Sequence, residues 1–164
     1  MAIILGIDPG LANTGWAVIE SQNSNLKYLA SGTISSTTSQ TIPERLCAIY
    51  QAILDVISKY QPAEFAIEES FVNNNPLSSL KLGQARAAAI LAAGTSNLRI
   101  FEYAPTLIKK AVVGSGTADK DQIISMVKYL MPTSTAKNEH EADAVAIAIC
   151  HSNISATHQR MKLS

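Results

Sequence analysis

The sequence predicts an α/β fold with a five-stranded mixed sheet, three antiparallel strands followed by parallel ones, flanked by helices. Three observations carry this expectation. The N-terminal part of the chain holds three apolar runs separated by short polar or turn-forming stretches, and strands that close in sequence pair most easily antiparallel. The rest alternates strand-like and helical segments, which places helices on the faces of a sheet. No internal repeat and no dividing linker interrupts the pattern. The chain of 164 residues suits one domain, because a domain of about 150 residues hides ~70% of its unfolded surface.

The elements follow in order. Ala2–Ile7 is apolar and β-branched, as in a strand buried on both faces. Pro9, Gly10, Asn13 and Gly15 mark a turn. Trp16–Ile19 and Leu26–Ile34 are the next strands, joined by the polar stretch Glu20–Asn25. Thr41 followed by Pro43 opens a helix. Its apolar stripe is Leu46, Ile49, Tyr50, Ile53, Val56, Ile57 and Tyr60, and Pro62 stops it. Glu64–Glu69 is a short strand. After the loop Asn73–Pro76 comes an alanine-rich helix, Leu77–Ala93, ended by Gly94. Arg99–Tyr103 is the fifth strand. Pro105–Val112, Asp119–Met131 and Glu139–His151 are helices, the first two separated by Gly114-Ser115-Gly116. The expected domain is residues 1–151, and Ser152–Ser164 is expected to be a polar, frayed tail.

Composition excludes several classes. Hydrophobic residues make up 47% and charged residues 16%. The first figure excludes a mainly disordered chain. The second lies below the usual ~25% and is unlike the ion-pair-rich composition of hyperthermophile proteins. Thirteen Lys and Arg balance thirteen Asp and Glu, so a nucleic-acid partner has to be argued from local patterning. Cys47 and Cys150 stand far apart without a C-x-x-C pattern, and two reduced, buried thiols are expected. The apolar start lacks a basic flank and ends at Asp8, which fits a strand rather than a signal peptide. No apolar run approaches the ~18 residues of a membrane span. A soluble, cytoplasmic protein is expected.

Three acids sit where chemistry is often placed. Asp8 ends the first strand at a tight turn, Glu68 closes the fourth strand, and Asp143 lies one turn after His140 near the start of the last helix. Strand ends on one sheet edge converge, and a helix packed across them adds a further ligand. Converging carboxylates repel unless a cation lies between them. Hard divalent cations take oxygen ligands, which suits two-metal phosphodiester chemistry. Acids at strand ends and in first helical turns also serve turns and helix dipoles, so spacing leaves both readings open.

Gly6-Ile7-Asp8-Pro9-Gly10 with Thr14-Gly15 resembles the opening of the RuvC family of Holliday junction resolvases. The resemblance recurs in Phe65-Ala66-Ile67-Glu68 with Phe71, in Leu80–Arg86, in Val112-Val113-Gly114 and in Ala142–Ala148, covering about residues 1–151. It implies a ribonuclease H-like fold and a homodimeric, Mg²⁺-dependent endonuclease that nicks two opposed strands of a four-way DNA junction in recombination and repair. Two Mg²⁺ ions per site are implied, with Mn²⁺ as a substitute. Four-way junction DNA, a second copy and the branch-migration complex RuvA–RuvB are the implied partners. By motif match Asp8, Glu68 and Asp143 become metal-binding carboxylates. Where many members carry a fourth acid this chain has His140, on the same helix face as Asp143. Imidazole favours Mn²⁺ over Mg²⁺ and also transfers protons near neutral pH, so ligand and proton-transfer roles both stay open. Glu139 is a rival ligand, Glu141 points away, and Glu69 faces the opposite side of its strand from Glu68.

From Lys81 to Lys137 the chain has eight basic residues against three acidic ones, a local excess that suits phosphate. Lys109 and Lys120 match basic positions of the family and flank the Gly114–Gly116 loop. Lys81 and Arg86 on the alanine-rich helix are candidate backbone contacts. Phe71, beside Glu68, is a candidate for stacking on a base unpaired at a crossover. Three rivals remain: another ribonuclease H-like nuclease, acting on RNA–DNA hybrids or another branched substrate, an actin-like ATPase module, and a non-catalytic junction binder. The second needs two domains, and the third gives no reason for the acids.

Overall fold

The computed structural model describes residues 1–22, 25–70 and 74–161. Its strands are β1 (Ala2–Asp8), β2 (Asn13–Gln22), β3 (Asn25–Ser35), β4 (Glu64–Glu68) and β5 (Arg99–Tyr103). They form one sheet in the order β3-β2-β1-β4-β5. The β1–β2 and β2–β3 pairs are antiparallel, and β1–β4 and β4–β5 are parallel. The helices are α1 (Ile42–Tyr60), α2 (Pro76–Thr95), α3 (Pro105–Val113), α4 (Lys120–Leu130) and α5 (Glu139–Met161). This is the mixed sheet that the apolar runs predict.

The period-two alternation of the central strands divides the core into two layers. Leu5 and Ile7 of β1 and Phe65 and Ile67 of β4 pack with Ile49, Ile53 and the alanines of α1 and α2. Ile4 and Ala66 face the opposite way and pack with Ile108, Ile123, Ala144 and Ile147 of α3, α4 and α5. Asp8 shares the parity of Ile4, and Glu68 that of Ala66. Both acids therefore fall on the α5 side of the sheet.

That helix lies almost on the backbone of β1. A Cβ on Gly6 would sit 2.3 Å from the carbonyl oxygen of Ala144 and 3.0 Å from the amide nitrogen of Ala148. Neither atom belongs to a side chain that can swing away. Gly6→Ala is expected to destabilise the protein by about 2–3 kcal/mol, the range of overpacked cores, measurable by urea denaturation. Unchanged stability would show that α5 lifts from β1 at little cost.

Four expectations are corrected. The polar stretch Glu20–Asn25 is largely strand, because β2 and β3 stay paired through Gln22 and Asn25. Gly94 lies inside α2. Asn97 takes the left-handed conformation (φ 57°), and the Leu98 amide bonds the Ala93 carbonyl at 3.1 Å, closing the helix as a glycine would. Cys47 is exposed on α1, whereas Cys150 is buried; both are free thiols. Helix α5 does not stop at His151 but continues to Met161. No Gly or Pro interrupts it, and the buried Ser152 ties it to β2 through a 2.7 Å hydrogen bond to Ser21.

Candidate active site

The C-terminal ends of β1 and β4 and the first turn of α5 meet at one edge of the sheet. After Asp8 the chain turns sharply, and the buried Thr14 hydroxyl donates to the Gly10 carbonyl at 2.7 Å. Glu68 is the register partner of Tyr103 on β5. Arg86 Nε donates to the Glu68 carbonyl oxygen at 3.2 Å, and its guanidinium pairs with Glu102. Arg86 thus fixes the end of the strand that carries Glu68.

The start of α5 is clamped as firmly. The Glu141 amide donates to Asn138 Oδ1 at 3.0 Å. The buried Glu141 carboxylate accepts from Ser31 Oγ at 2.7 Å, Thr33 Oγ1 at 3.3 Å and the Lys137 amide at 3.1 Å. Beneath this turn lies Gly15, the register partner of Asp8. A Cβ there would meet the His140 carbonyl oxygen at 2.0 Å. A bare backbone at this position lets His140 approach Asp8, and His140 Nδ1 lies 3.1 Å from Asp8 Oδ2. Gly15→Ala should accordingly cut activity at least about tenfold by displacing His140, since small misplacements at a reacting centre are costly. The alanine protein should remain folded by circular dichroism, and an undiminished rate would contradict the tight approach.

The acids perturb one another. Burial pushes Asp8 up to about 6, with the Asp143 charge adding to it and the hydrogen bond from His140 opposing it. Burial likewise lifts Glu68 to about 7, with Asp8 and Asp143 adding and Lys109 opposing. Asp143 is raised, chiefly by burial, while Lys120 opposes the shift. Glu68, Asp143, Lys109 and Lys120 line a cleft of about 310 Å³. Lys120 Nζ is 2.6 Å from Glu139 Oε2, and this ion pair holds the Glu139 carboxyl below its usual range.

These donors fit a hard divalent cation chemically. Three carboxylates raised chiefly by burial, two of them further by the charge of Asp143, are a set that positive charge would relieve. Among the described residues no three His, Cys, Asp or Glu side chains are gathered into a ready cage. The acids feel one another's charge without sharing contacts.

A consequence is measurable without metal. From pH 4.5, the ordinary value of Glu68, to about 7, the folded protein holds the Glu68 proton and the unfolded chain does not. Stability therefore falls as pH rises through that window and levels off above it. Glu68→Gln should flatten this slope and raise metal-free stability at pH 8 by about 1–2 kcal/mol, discounted for partial exposure. Melting temperatures at pH 5 and pH 8 check it, and an unchanged slope in the variant would contradict the perturbed carboxyl.

Of the residues singled out in the sequence, Asp8, Glu68, His140 and Asp143 come together here, with Lys109 and Lys120 beside them. Lys81 is exposed on α2, while Arg86 is engaged by Glu68 and Glu102. Phe71 lies outside the described residues. The Glu69 amide bonds the Tyr103 carbonyl at 2.8 Å. Sequence reasoning missed the clamp made by Glu141, although Asn138-x-x-Glu141 has the spacing of a capping box. It also missed Gly15 as the bed of His140, and a buried Glu64–His151–Tyr103 network below the site.

Residues 4–151 match the family described as crossover junction endodeoxyribonuclease RuvC. The crossover junction endodeoxyribonuclease RuvC of Methylocella silvestris is 49% identical over 159 residues, covering 97% of this chain and 90% of that protein. Thermus thermophilus RuvC in complex with Holliday junction substrate superposes with a TM-score of 0.90 at 26% identity, covering 96% of this chain and 97% of that one. The yeast mitochondrial Holliday junction resolvase Ydc2 shares the fold, with a TM-score of 0.66 at 11% identity over 96% of this chain and 81% of its own.

Proposed function

The chain belongs to the RuvC family of crossover junction endodeoxyribonucleases, and we propose that it resolves Holliday junctions by metal-dependent nicking of two opposed DNA strands. Its sheet and helices form the ribonuclease H-like fold of that family. The observation that carries the reading is the set of three carboxylates Asp8, Glu68 and Asp143, each raised chiefly by burial, beside a cleft lined by Lys109 and Lys120. A module that merely bound phosphate would place bases there.

Asp8, Glu68 and Asp143, with His140 beside them, are the residues that would hold Mg²⁺. When bound, the cation supplies charge stabilisation at the phosphodiester and a more acidic water. The chain's own residues do the rest. Lys109 and Lys120 balance the acids and offer charge to the scissile strand. Lys81, exposed on α2, extends that contact to the backbone. Arg86 serves indirectly by fixing the end of β4. Phe71 is assigned to stacking on an unpaired base. The functional context is recombination and repair in the cytoplasm, with RuvA–RuvB delivering the junction. No helix among the described residues is long and apolar enough to cross a membrane.

Paired nicks need two centres related by a two-fold axis. Helix α2 exposes Leu77, Leu80 and Leu91 on one side, while Ala85, Ala88, Ala89, Ala92 and Ala93 face the core. An apolar stripe of this kind suits a second copy. Leu80→Glu should convert a dimer to a monomer in light scattering and uncouple the two nicks. A dimer that persists would move the interface elsewhere.

The direct test uses a synthetic four-way junction and a matched linear duplex, each with Mg²⁺ or EDTA. Junction-selective cleavage that needs Mg²⁺ is expected. Equal cleavage of an RNA–DNA hybrid would instead support the broader ribonuclease H-like reading.

A further inference from the structure

We infer that His151 is a positioning residue that sets the height of Asp143 against Glu68 by locking α5 to β4; the inference rests on the metal-binding role proposed for those acids. His151 is 1% exposed. Its Nε2 lies 2.7 Å from Glu64 Oε2, and its Nδ1 lies 2.6 Å from the Tyr103 hydroxyl. A carboxylate only accepts, so Nε2–H donates to Glu64, and in the neutral ring Nδ1 accepts from Tyr103. Glu64 is itself buried and also pairs with Arg99. The imidazole is packed on Phe101 with ring centres 4.4 Å apart.

The two elements match in length. Glu64, Ala66 and Glu68 alternate onto one face of β4, so four residues at ~3.3 Å separate the two glutamates by about 13 Å. Asp143, Ile147 and His151 form one stripe of α5, where eight residues at 1.5 Å span about 12 Å. Strand and helix run in opposite directions. The Glu64–His151 bond at one end therefore leaves Glu68 and Asp143 facing each other at the other. Tyr103 ties the same point to β5, where it is the partner of Glu68 in the sheet.

The apolar contact between these ends fixes that register less sharply than directional bonds do. It includes Ala144, Ile147 and Ala148 in one cluster with Ile4 and Ala66, with Gly6 under Ala144. Apolar contact is non-directional, and a face of small residues offers a helix little resistance to sliding. Hydrogen bonds with narrow distance and angle limits do fix position. The Glu141 clamp holds α5 to β3 and Ser152 holds it to β2; His151 alone of these holds it to the strand that carries Glu68.

The test is Mn²⁺ titration of metal-free protein by calorimetry, well below the melting temperature of each variant, with junction cleavage kinetics alongside. Relative to wild type, His151→Leu should bind Mn²⁺ about tenfold more weakly, the lower end of losses from outer-shell residues. It should lower kcat with KM for the junction unchanged. His151→Gln keeps a donor for Glu64 and should recover most of both. Tyr103→Phe should weaken Mn²⁺ about two- to threefold, since it removes one bond of the lock. Folded variants with wild-type Mn²⁺ affinity and lowered melting temperatures would reduce His151 to a stabilising residue and overturn the inference. If His151→Leu does not fold, wild-type affinity in both His151→Gln and Tyr103→Phe does the same. Wild-type protein that binds no Mn²⁺ would overturn the carboxylate site itself, and the positioning role with it.

Discussion

Asp8→Asn should abolish junction cleavage while leaving junction binding close to wild type. The acid lies at the end of β1, half-buried, with its charge opposed by Asp143 and supported by His140. Asparagine keeps the shape and one oxygen but removes the charge a divalent ion needs. A loss of about a thousandfold or more in rate is expected, corresponding to ~4 kcal/mol of lost barrier reduction. Junction affinity rests on phosphate contacts elsewhere, including Lys81, Lys109 and Lys120, so it should change little. The same variant relieves repulsion in the metal-free protein and should melt higher at pH 8. Gel-shift affinity, single-turnover cleavage and melting temperature separate these effects. Cleavage by Asp8→Asn near the wild-type rate would remove the metal site from this edge of the sheet.

The existence of that site was legible because the ends of strands on one sheet edge converge and a helix packed across them adds a further group. Both acids end a strand and so reach one sheet edge; that they also share a face needed the β1–β4 register, with Gly6 opposite Ala66. Other features depended on atoms that no pattern encodes. Gly15 reads as a turn residue, yet its effect is to let the His140 carbonyl approach β2. His151 reads as the end of a helix, yet it is paired with a glutamate 87 positions earlier in the chain. Helix α5 outran its predicted end because the buried Ser152 finds a partner in Ser21 across the sheet. Tertiary contact overrode polar composition there. Asn97 closes α2 for a related reason: a left-handed residue was needed three positions later than the glycine that advertised it.

His140 is the position at which this chain departs from a four-carboxylate pattern, and three proteins resolve its role. Its Nδ1 faces Asp8 at 3.1 Å, while its Nε2 lies 3.9 Å from Glu139. Glu139 is committed to Lys120, which argues against it as the rival ligand. As a ligand, His140 should be replaceable by an oxygen donor. His140→Ala should then lose about a hundredfold in rate, ~3 kcal/mol, and His140→Asp should regain most of it in Mg²⁺. Wild type should gain more from Mn²⁺ than His140→Asp does, because imidazole accepts the softer ion more readily. A proton-transfer role gives a different pattern. Aspartate would not replace the imidazole at neutral pH, and the pH–rate profile of both variants would lose a limb. Cleavage rates of the three proteins across pH, in each metal, distinguish the two roles. Wild-type rates for His140→Ala under every condition would take His140 out of the site and leave its contact with Asp8 as structural support.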